Sequence, residues 1–114
     1  MNINYLFKNH HNGGGFIAKI PTKSGKLILS IVAGEYYYST PREDLSNVSE
    51  YSKFEVAIFN SETNKWASYN EAKPVLDIVE STGEYEIDID GDESQCAVLG
   101  WVEKELIIKA IELC

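Results

Sequence analysis

The clearest pattern in the chain is an unbroken alternation of acidic and apolar residues over positions 84–90. One face of a strand with this sequence would carry Tyr85, Ile87 and Ile89. The other face would carry four carboxylates, those of Glu84, Glu86, Asp88 and Asp90. Because a strand rises about 3.3 Å per residue, these carboxylates would lie about 6.6–7 Å apart. That spacing is roughly what a nucleic-acid backbone presents to a protein.

Hydrophobic spacing elsewhere predicts further hairpins and helices. Residues 1–8 have the spacing of one or two helical turns. Residues 70–81 combine helical spacing with Pro74, which weakens the helix prediction without excluding it. The remaining elements, in chain order, are a hairpin of 16–21 with 26–38, a helix over 41–47 opened by a Thr40–Glu43 capping box, a hairpin of 54–59 with 65–69, the pairing of 84–90 with 95–101, and a helix over 102–113.

These elements predict one α+β domain over residues 1–114, because 114 residues that are 44% hydrophobic suit a single core. We expect an antiparallel sheet of about six strands in hairpins, with two or three helices packed on one face. The acidic row would then lie on the open face or at an edge. No stretch approaches the roughly 20 apolar residues of a membrane helix, and the first residues lack a signal-peptide pattern. The predicted location is therefore the cytoplasm.

The net charge of −8 is regional. Residues 1–34 carry +4, residues 35–70 carry −3 and residues 71–114 carry −9. Coulomb repulsion therefore disfavours direct binding of the C-terminal part to nucleic acid or to an anionic membrane, and it favours a basic protein partner. The alternative explanation is that the acidity only keeps a small protein in solution.

No metal site or cofactor is predicted. The segment Asp88–Glu93 resembles a calcium loop, but the EF-hand position that needs a bidentate glutamate would be Ala97. His10 and His11 are adjacent and have no further ligand at metal-binding spacing nearby. They are therefore interpreted as solvated loop residues.

Other residue types with chemical potential are interpreted structurally. Cys96 and Cys114 lie in or beside apolar runs and are predicted to be free thiols. Residues 13–15 are three glycines before a strand, a pattern that fits a flexible tether and lacks the features of a phosphate loop. No catalytic residue is predicted.

A secondary candidate interface comprises Tyr36, Tyr38 and Arg42. Tyrosine and arginine dominate protein-binding hot spots, and Arg42 is the only arginine in the chain. The alternative is cross-strand packing of the tyrosines followed by a helix cap.

The leading hypothesis is a non-enzymatic inhibitor whose acidic segment blocks the basic groove of a nucleic-acid enzyme. Its predicted partner-binding residues are Glu84, Glu86, Asp88, Asp90, Asp92 and Glu93. In size, charge and lack of motifs the chain resembles small acidic phage-borne inhibitors, such as anti-CRISPR proteins that mimic DNA. The resemblance rests on the general character of the whole chain. Residues 1–34 are basic, which differs from a uniformly acidic DNA mimic. This leaves two forms of mimicry open, one in which the whole surface imitates DNA and one in which a single edge does.

Three alternatives stay open. An immunity protein that neutralises a toxin nuclease would use the same physics. A small ligand-binding or enzymatic domain would use the tyrosines, a histidine and Arg42, and it predicts a concave pocket. A self-assembling subunit, including a homodimer, would pair through strand edges or the last helix and predicts an exposed apolar patch.

Overall fold

The computed structural model describes residues 2–9, 15–79, 86–88 and 98–114. Within them the fold is α+β, as predicted, and its six strands form one antiparallel sheet in the order β1-β2-β3-β4-β6-β5. Two short 3-10 turns, Asn4–Leu6 and Val48–Glu50, precede β1 and β4. The strands and helices are β1 Lys8–Asn9, β2 Phe16–Pro21, β3 Leu27–Ala33, β4 Lys53–Asn60, α1 Tyr69–Val79, β5 Glu86–Asp88, β6 Val98–Glu103 and α2 Lys104–Leu113.

The core lies between one face of the sheet and the two helices. Alternate residues of β4, namely Phe54, Val56 and Ile58, are buried and belong to the same apolar cluster as Leu76 of α1 and Ile107 of α2. Helices α1 and α2 also contact each other. This two-layer arrangement leaves the opposite face of the sheet without helices in the described part of the chain.

The first predicted hairpin is confirmed, but its second arm is shorter than expected. Strand β3 ends at Ala33, and residues 35–38 form turns and bends instead of continuing the strand. Gly34 has a φ of 153°, its N–H donates to Ser39 Oγ at 3.1 Å, and the N–H of Glu35 donates to an Asp44 carboxylate oxygen at 2.9 Å. Side chains thus satisfy backbone groups that a longer strand would have paired.

The helix predicted over 41–47 is wrong. Thr40 was expected to cap that helix, but its N–H donates to the Lys53 carbonyl at 3.0 Å and its carbonyl accepts from the N–H of Ser52 at 2.8 Å. These bonds place Thr40 in a β-bridge with Lys53. The following residues are held in an irregular path by the hydroxyl of Tyr51, which donates to the Glu43 carbonyl and accepts from the N–H of Leu45.

The second predicted hairpin survives only in part. Its turn at 60–64 is present, but the arm predicted over 65–69 is a single bridge between Phe59 and Trp66. The reason is the start of α1, since Ser68 and Glu71 form a reciprocal capping box there. The Ser68 N–H donates to the Glu71 carboxylate at 2.9 Å, and the Glu71 N–H donates to Ser68 Oγ at 3.1 Å.

The two longer helices follow the sequence prediction closely. Helix α1 spans Tyr69–Val79 despite Pro74, against a predicted 70–81, of which residues 80 and 81 lie outside the described residues. Helix α2 begins at Lys104 instead of 102, because Val102 pairs with Phe54 in the sheet. The pairing of the acidic strand with 95–101 is confirmed where it is described, as β5 against β6.

The capping box predicts a pH dependence of stability. The backbone N–H of Ser68, then the Asn60 amide and the Ser68 hydroxyl, hold the pKa of Glu71 below its ordinary value of 4.5. A depressed folded pKa adds stability above the unfolded pKa, and this stability is lost as the pH falls through the folded value. At pH 6 we expect wild type to unfold at a higher urea concentration than Glu71→Gln. The difference between the two urea midpoints should disappear as the pH drops well below 4.5. A gap that stays constant with pH would contradict the assignment.

Candidate interface at the acidic end of the sheet

The acidic strand lies at one end of the strand order. Strand β5, Glu86–Asp88, pairs with β6 so that Glu86 lies opposite Gly100 and Asp88 lies opposite Val98. The strand prediction is therefore confirmed for the central three residues of the predicted seven. Four predicted partner-binding residues lie outside the described residues: Glu84, Asp90, Asp92 and Glu93.

The secondary candidate residues lie in the connection between β3 and β4, and two of them, Tyr38 and Arg42, form a stack with a residue of β6. The ring of Tyr38 stacks on Trp101, with ring centroids 4.9 Å apart and planes inclined by 27°. The guanidinium of Arg42 lies over Tyr38, 5.1 Å from the ring centroid, within the range of a cation–π contact. Tyr36 is 71% exposed.

A β-bulge in β6 sets the position of Trp101. Phe54 pairs with Val102 and Val56 pairs with Leu99, so three residue steps on β6 face two steps on β4. The extra residue allows both Leu99 and Val102 to be buried in the core. Trp101 has a φ of 53°, in the left-handed region that non-glycine residues rarely occupy. Its N–H donates to the carbonyl of Tyr38 at 2.9 Å, which joins the bulge to the connection.

Gly100 brings the two predicted candidate surfaces together. It is the register partner of Glu86, and its Cα also lies under Tyr38. A Cβ atom added to Gly100 would lie 3.1 Å from Tyr38 Cβ, closer than most Cβ contacts. The acidic strand and the aromatic stack are therefore neighbours across β6. We call strand β5, together with Tyr36, Tyr38, Arg42 and Trp101, the acidic–aromatic edge.

Polar bonds fix the connection that carries the tyrosines. The Ser39 hydroxyl is almost fully buried and shares its one proton between the carbonyl oxygens of Gly34 and Pro41, 3.2 and 3.0 Å away. The Arg42 Nε–H donates to the Glu35 carbonyl at 3.2 Å. The Tyr51 hydroxyl keeps its proton at neutral pH and continues to donate, and burial raises its pKa further above the ordinary value of 10. A segment without regular secondary structure thus presents its side chains in a defined arrangement.

Trp101 is a member of this site that the sequence did not reveal. The position was predicted as the end of a regular strand, and neither periodicity nor composition indicates a bulge. The one available signal is the Gly100–Trp101 pair, since glycine inside a strand often marks a bulge or a close backbone approach.

The strained backbone of Trp101 can be tested with two truncations. Trp101→Ala and Trp101→Gly both remove the ring, but only alanine keeps the side-chain penalty of the left-handed conformation, about 1–2 kcal/mol. We expect Trp101→Gly to have the higher free energy of unfolding, by roughly 1 kcal/mol, although glycine normally destabilises a strand. Urea denaturation of both variants measures the difference. An alanine variant as stable as the glycine variant, or more stable, would contradict the strain.

A separate pocket lies away from the acidic–aromatic edge. A cavity of about 500 Å³ lies at the far end of the core, and its lining does not contain Tyr36, Tyr38 or Arg42. The cavity is lined by Ser24, Lys26, Leu27, Asn60, Glu62, Glu71, Pro74, Leu113 and Cys114. Burial raises the pKa of the Cys114 thiol, which disfavours the nucleophilic thiolate. His10, His11 and Cys96 lie outside the described residues, as do Gly13 and Gly14.

The prediction of a flexible glycine tether is wrong for Gly15. This residue is buried, and its Cα lies against the backbone of Ala33 and Gly34. Among the described residues, no group of three or more His, Cys, Asp or Glu side chains could hold a metal ion.

Comparisons of the chain with protein-family models, curated proteins and solved structures gave no match. No helix in the described ranges has the length and apolar character needed to cross a bilayer.

Proposed function

We propose that this protein is a non-enzymatic inhibitor that binds a basic protein through the acidic–aromatic edge. The partner is a nucleic-acid-binding enzyme of a host defence system, or another nuclease, and the edge occupies its nucleic-acid groove. The observation that carries the proposal is the meeting of two features on β6. Strand β5 pairs with β6 at Gly100, and the same glycine contacts Tyr38, which stacks on Trp101 and lies beneath the guanidinium of Arg42.

Electrostatics supply the first part of the argument. The predicted carboxylates repeat about every 6.6–7 Å along an edge strand. A groove that binds nucleic acid is lined with lysine and arginine side chains that neutralise successive phosphates. An edge with regularly spaced carboxylates can satisfy the same side chains, which excludes the nucleic acid by competition. Complementary charge also speeds the encounter of the two proteins.

The aromatic stack supplies the second part. Charged pairs at the rim of an interface contribute little to affinity, whereas tyrosine, tryptophan and arginine in a packed centre contribute most. Tyr38 and Trp101 are half-buried and mutually fixed, and Tyr36 is exposed beside them. This arrangement supports an anchor that needs little ordering on binding.

The same charge distribution argues for protein partners over other ligands. With −9 on residues 71–114, this part of the chain repels nucleic acid and anionic membranes directly. The proposed function requires no cofactor or metal and places both proteins in the cytoplasm. An immunity protein against a toxin nuclease would use the same edge, so the identity of the captured partner separates the two roles.

The test is a pull-down with tagged protein from a lysate of its host, washed at low and then at high salt. The proposal predicts recovery of a nucleic-acid enzyme at low salt and its release at high salt, because ionic contacts are screened. Recovery of a partner that resists high salt would contradict an electrostatic interface. Recovery of no other protein would contradict the proposal as a whole.

A further inference from the structure

The helix-free face of the sheet carries a row of large residues beside a row whose two central residues are small. In the first row Pro21 pairs with Ile28, Ile28 with Phe59, and Phe59 with Trp66. In the second row Lys19 pairs with Ser30, and Ser30 with Ala57. Directly paired residues of antiparallel strands share a face, and the residues between these rows, such as Leu29 and Ile58, are buried in the core. Both rows therefore lie on the face away from the helices. We call them the large row and the small row.

The large row offers apolar surface to solvent. Trp66 is 47% exposed, and its ring lies against Phe59, with centroids 4.9 Å apart. Ile28 and Phe59 are half-buried. In the adjacent small row the side chains of Ser30 and Ala57 reach only to Oγ or Cβ. The face thus has a ridge next to a shallow trough that runs across the strands.

We infer that this face binds a second copy of the chain. Consider two copies stacked face to face, with a two-fold axis between them that is parallel to the rows and midway between them. Each strand of one copy then lies over the same strand of the other copy, with the opposite chain direction. Ile28 of one copy then lies over Ser30 of the other, and Phe59 lies over Ala57. The ridge of each copy fills the trough of its partner, which is the self-complementarity that a two-fold interface requires. The strand directions stay aligned, as in face-to-face sheet packing.

Charge favours this face over the other surfaces of the molecule. Two copies that each carry −8 repel each other, but neither row contains an acidic residue, and the small row contains Lys19. Tyr38 contacts the next row of the sheet, since its N–H donates to Glu55 at 3.4 Å and Glu55 pairs with Val32. The acidic–aromatic edge therefore lies outside the central contact, and self-association does not depend on the proposed inhibitory function.

The size of the contact predicts a weak dimer. The two rows cover a patch of about 14 Å by about 14 Å, roughly 200 Å², which is small beside the roughly 800 Å² per partner of a stable interface. We expect a dissociation constant on the order of 100 μM. Sedimentation velocity from about 10 μM to about 1 mM covers both sides of that value. A reducing buffer prevents cross-linking through Cys114.

The weight-average sedimentation coefficient of wild type should rise with concentration toward that of a dimer. Ala57→Lys should stay monomeric, because the long lysine side chain fills the trough at Ala57 that the partner's Phe59 would occupy. Thr63→Lys is the matched control, since it adds the same charge at an exposed turn residue outside both rows. It should associate at least as well as wild type, because it lowers the net repulsion.

Trp66→Ser is the second interface variant, and the exposure of the ring means that the fold tolerates its loss. It should also weaken self-association, by at least tenfold in the dissociation constant. Circular dichroism confirms that each variant is folded. Wild type that stays monomeric to 1 mM would overturn the inference. Self-association that both interface variants leave unchanged would overturn it too, because the contact would then lie elsewhere. Either result leaves the proposed function standing, because partner capture uses other residues.

Discussion

Reversal of Glu86, Asp88 and Asp90 to lysine is expected to weaken partner binding by at least about 100-fold, equivalent to roughly 2.7 kcal/mol. The variant replaces attraction by repulsion at three consecutive positions of the acidic row, opposite a groove that carries positive charge. The fold should persist, because the described part of this strand lies at the end of the sheet. Pull-down yield at low salt, followed by titration calorimetry on the captured partner, measures the loss.

The control is a second triple reversal, Glu50→Lys with Glu62→Lys and Glu112→Lys, at exposed residues away from the edge. Both variants change the net charge equally, so general electrostatic attraction weakens equally in both. We expect the control to bind within about tenfold of wild type. If the two triple variants lose affinity equally, the net charge and not the acidic strand drives binding. Unchanged affinity in the folded strand variant would remove the strand from the interface.

Replacement of Gly15 by alanine is expected to lower the free energy of unfolding by about 3 kcal/mol or more, from backbone strain and overpacking together. Its φ of 78° is unfavourable for a residue with a side chain, and the added Cβ would lie 2.4 Å from the Ala33 carbonyl oxygen. Because that oxygen belongs to the backbone of β3, the sheet itself would have to move.

Gly25 provides a matched comparison for Gly15. Its φ of 76° is nearly the same, but an added Cβ would meet no atom within 4 Å. Gly25→Ala should therefore cost only the strain, about 1–2 kcal/mol. Urea denaturation of both variants separates steric from conformational cost. Equal losses would show that Gly15 is not closely packed against Ala33.

The sequence correctly predicted those elements whose structure depends on residues that are close together along the chain. Helix α1 begins at Tyr69, one residue from the predicted start, because Ser68 and Glu71 cap it, and it continues through Pro74. The turn before β3 and the apolar stripe of α2 were equally readable, because a few adjacent residues determine each. These elements are short-range, so periodicity and capping rules suffice to identify them.

The prediction was wrong where distant residues compete for the same backbone groups. The Thr40–Glu43 sequence satisfies the capping rule as well as Ser68–Glu71 does. Thr40 instead pairs with Lys53, thirteen residues later, and Tyr51 holds the segment between them. The capping rule considers only neighbouring residues, so it does not take account of the pairing between Thr40 and Lys53. For the same reason the tyrosines were placed in a strand that ends before them.

The sequence identified separate parts of the candidate site, but it did not predict that these parts lie next to each other. Composition identified the acidic strand and the Tyr36, Tyr38 and Arg42 cluster as separate candidates. Their contact through Gly100, and the role of Trp101, depend on a bulge that only the register of β4 against β6 reveals. A single extra residue reverses the face on which later side chains lie. The sequence of one strand does not show how many residues of the neighbouring strand lie opposite it, so the bulge was not predicted.

The most direct test of the proposed inhibition is a competition measurement on the captured partner. Labelled nucleic acid is bound to the partner, and its fluorescence anisotropy is followed as this protein is added. We predict stoichiometric release of the nucleic acid by wild type, and no release by the Glu86, Asp88 and Asp90 triple variant. Anisotropy that stays high or rises while the protein binds would mean that both ligands occupy the partner together, and it would contradict inhibition by an edge that occupies the nucleic-acid groove.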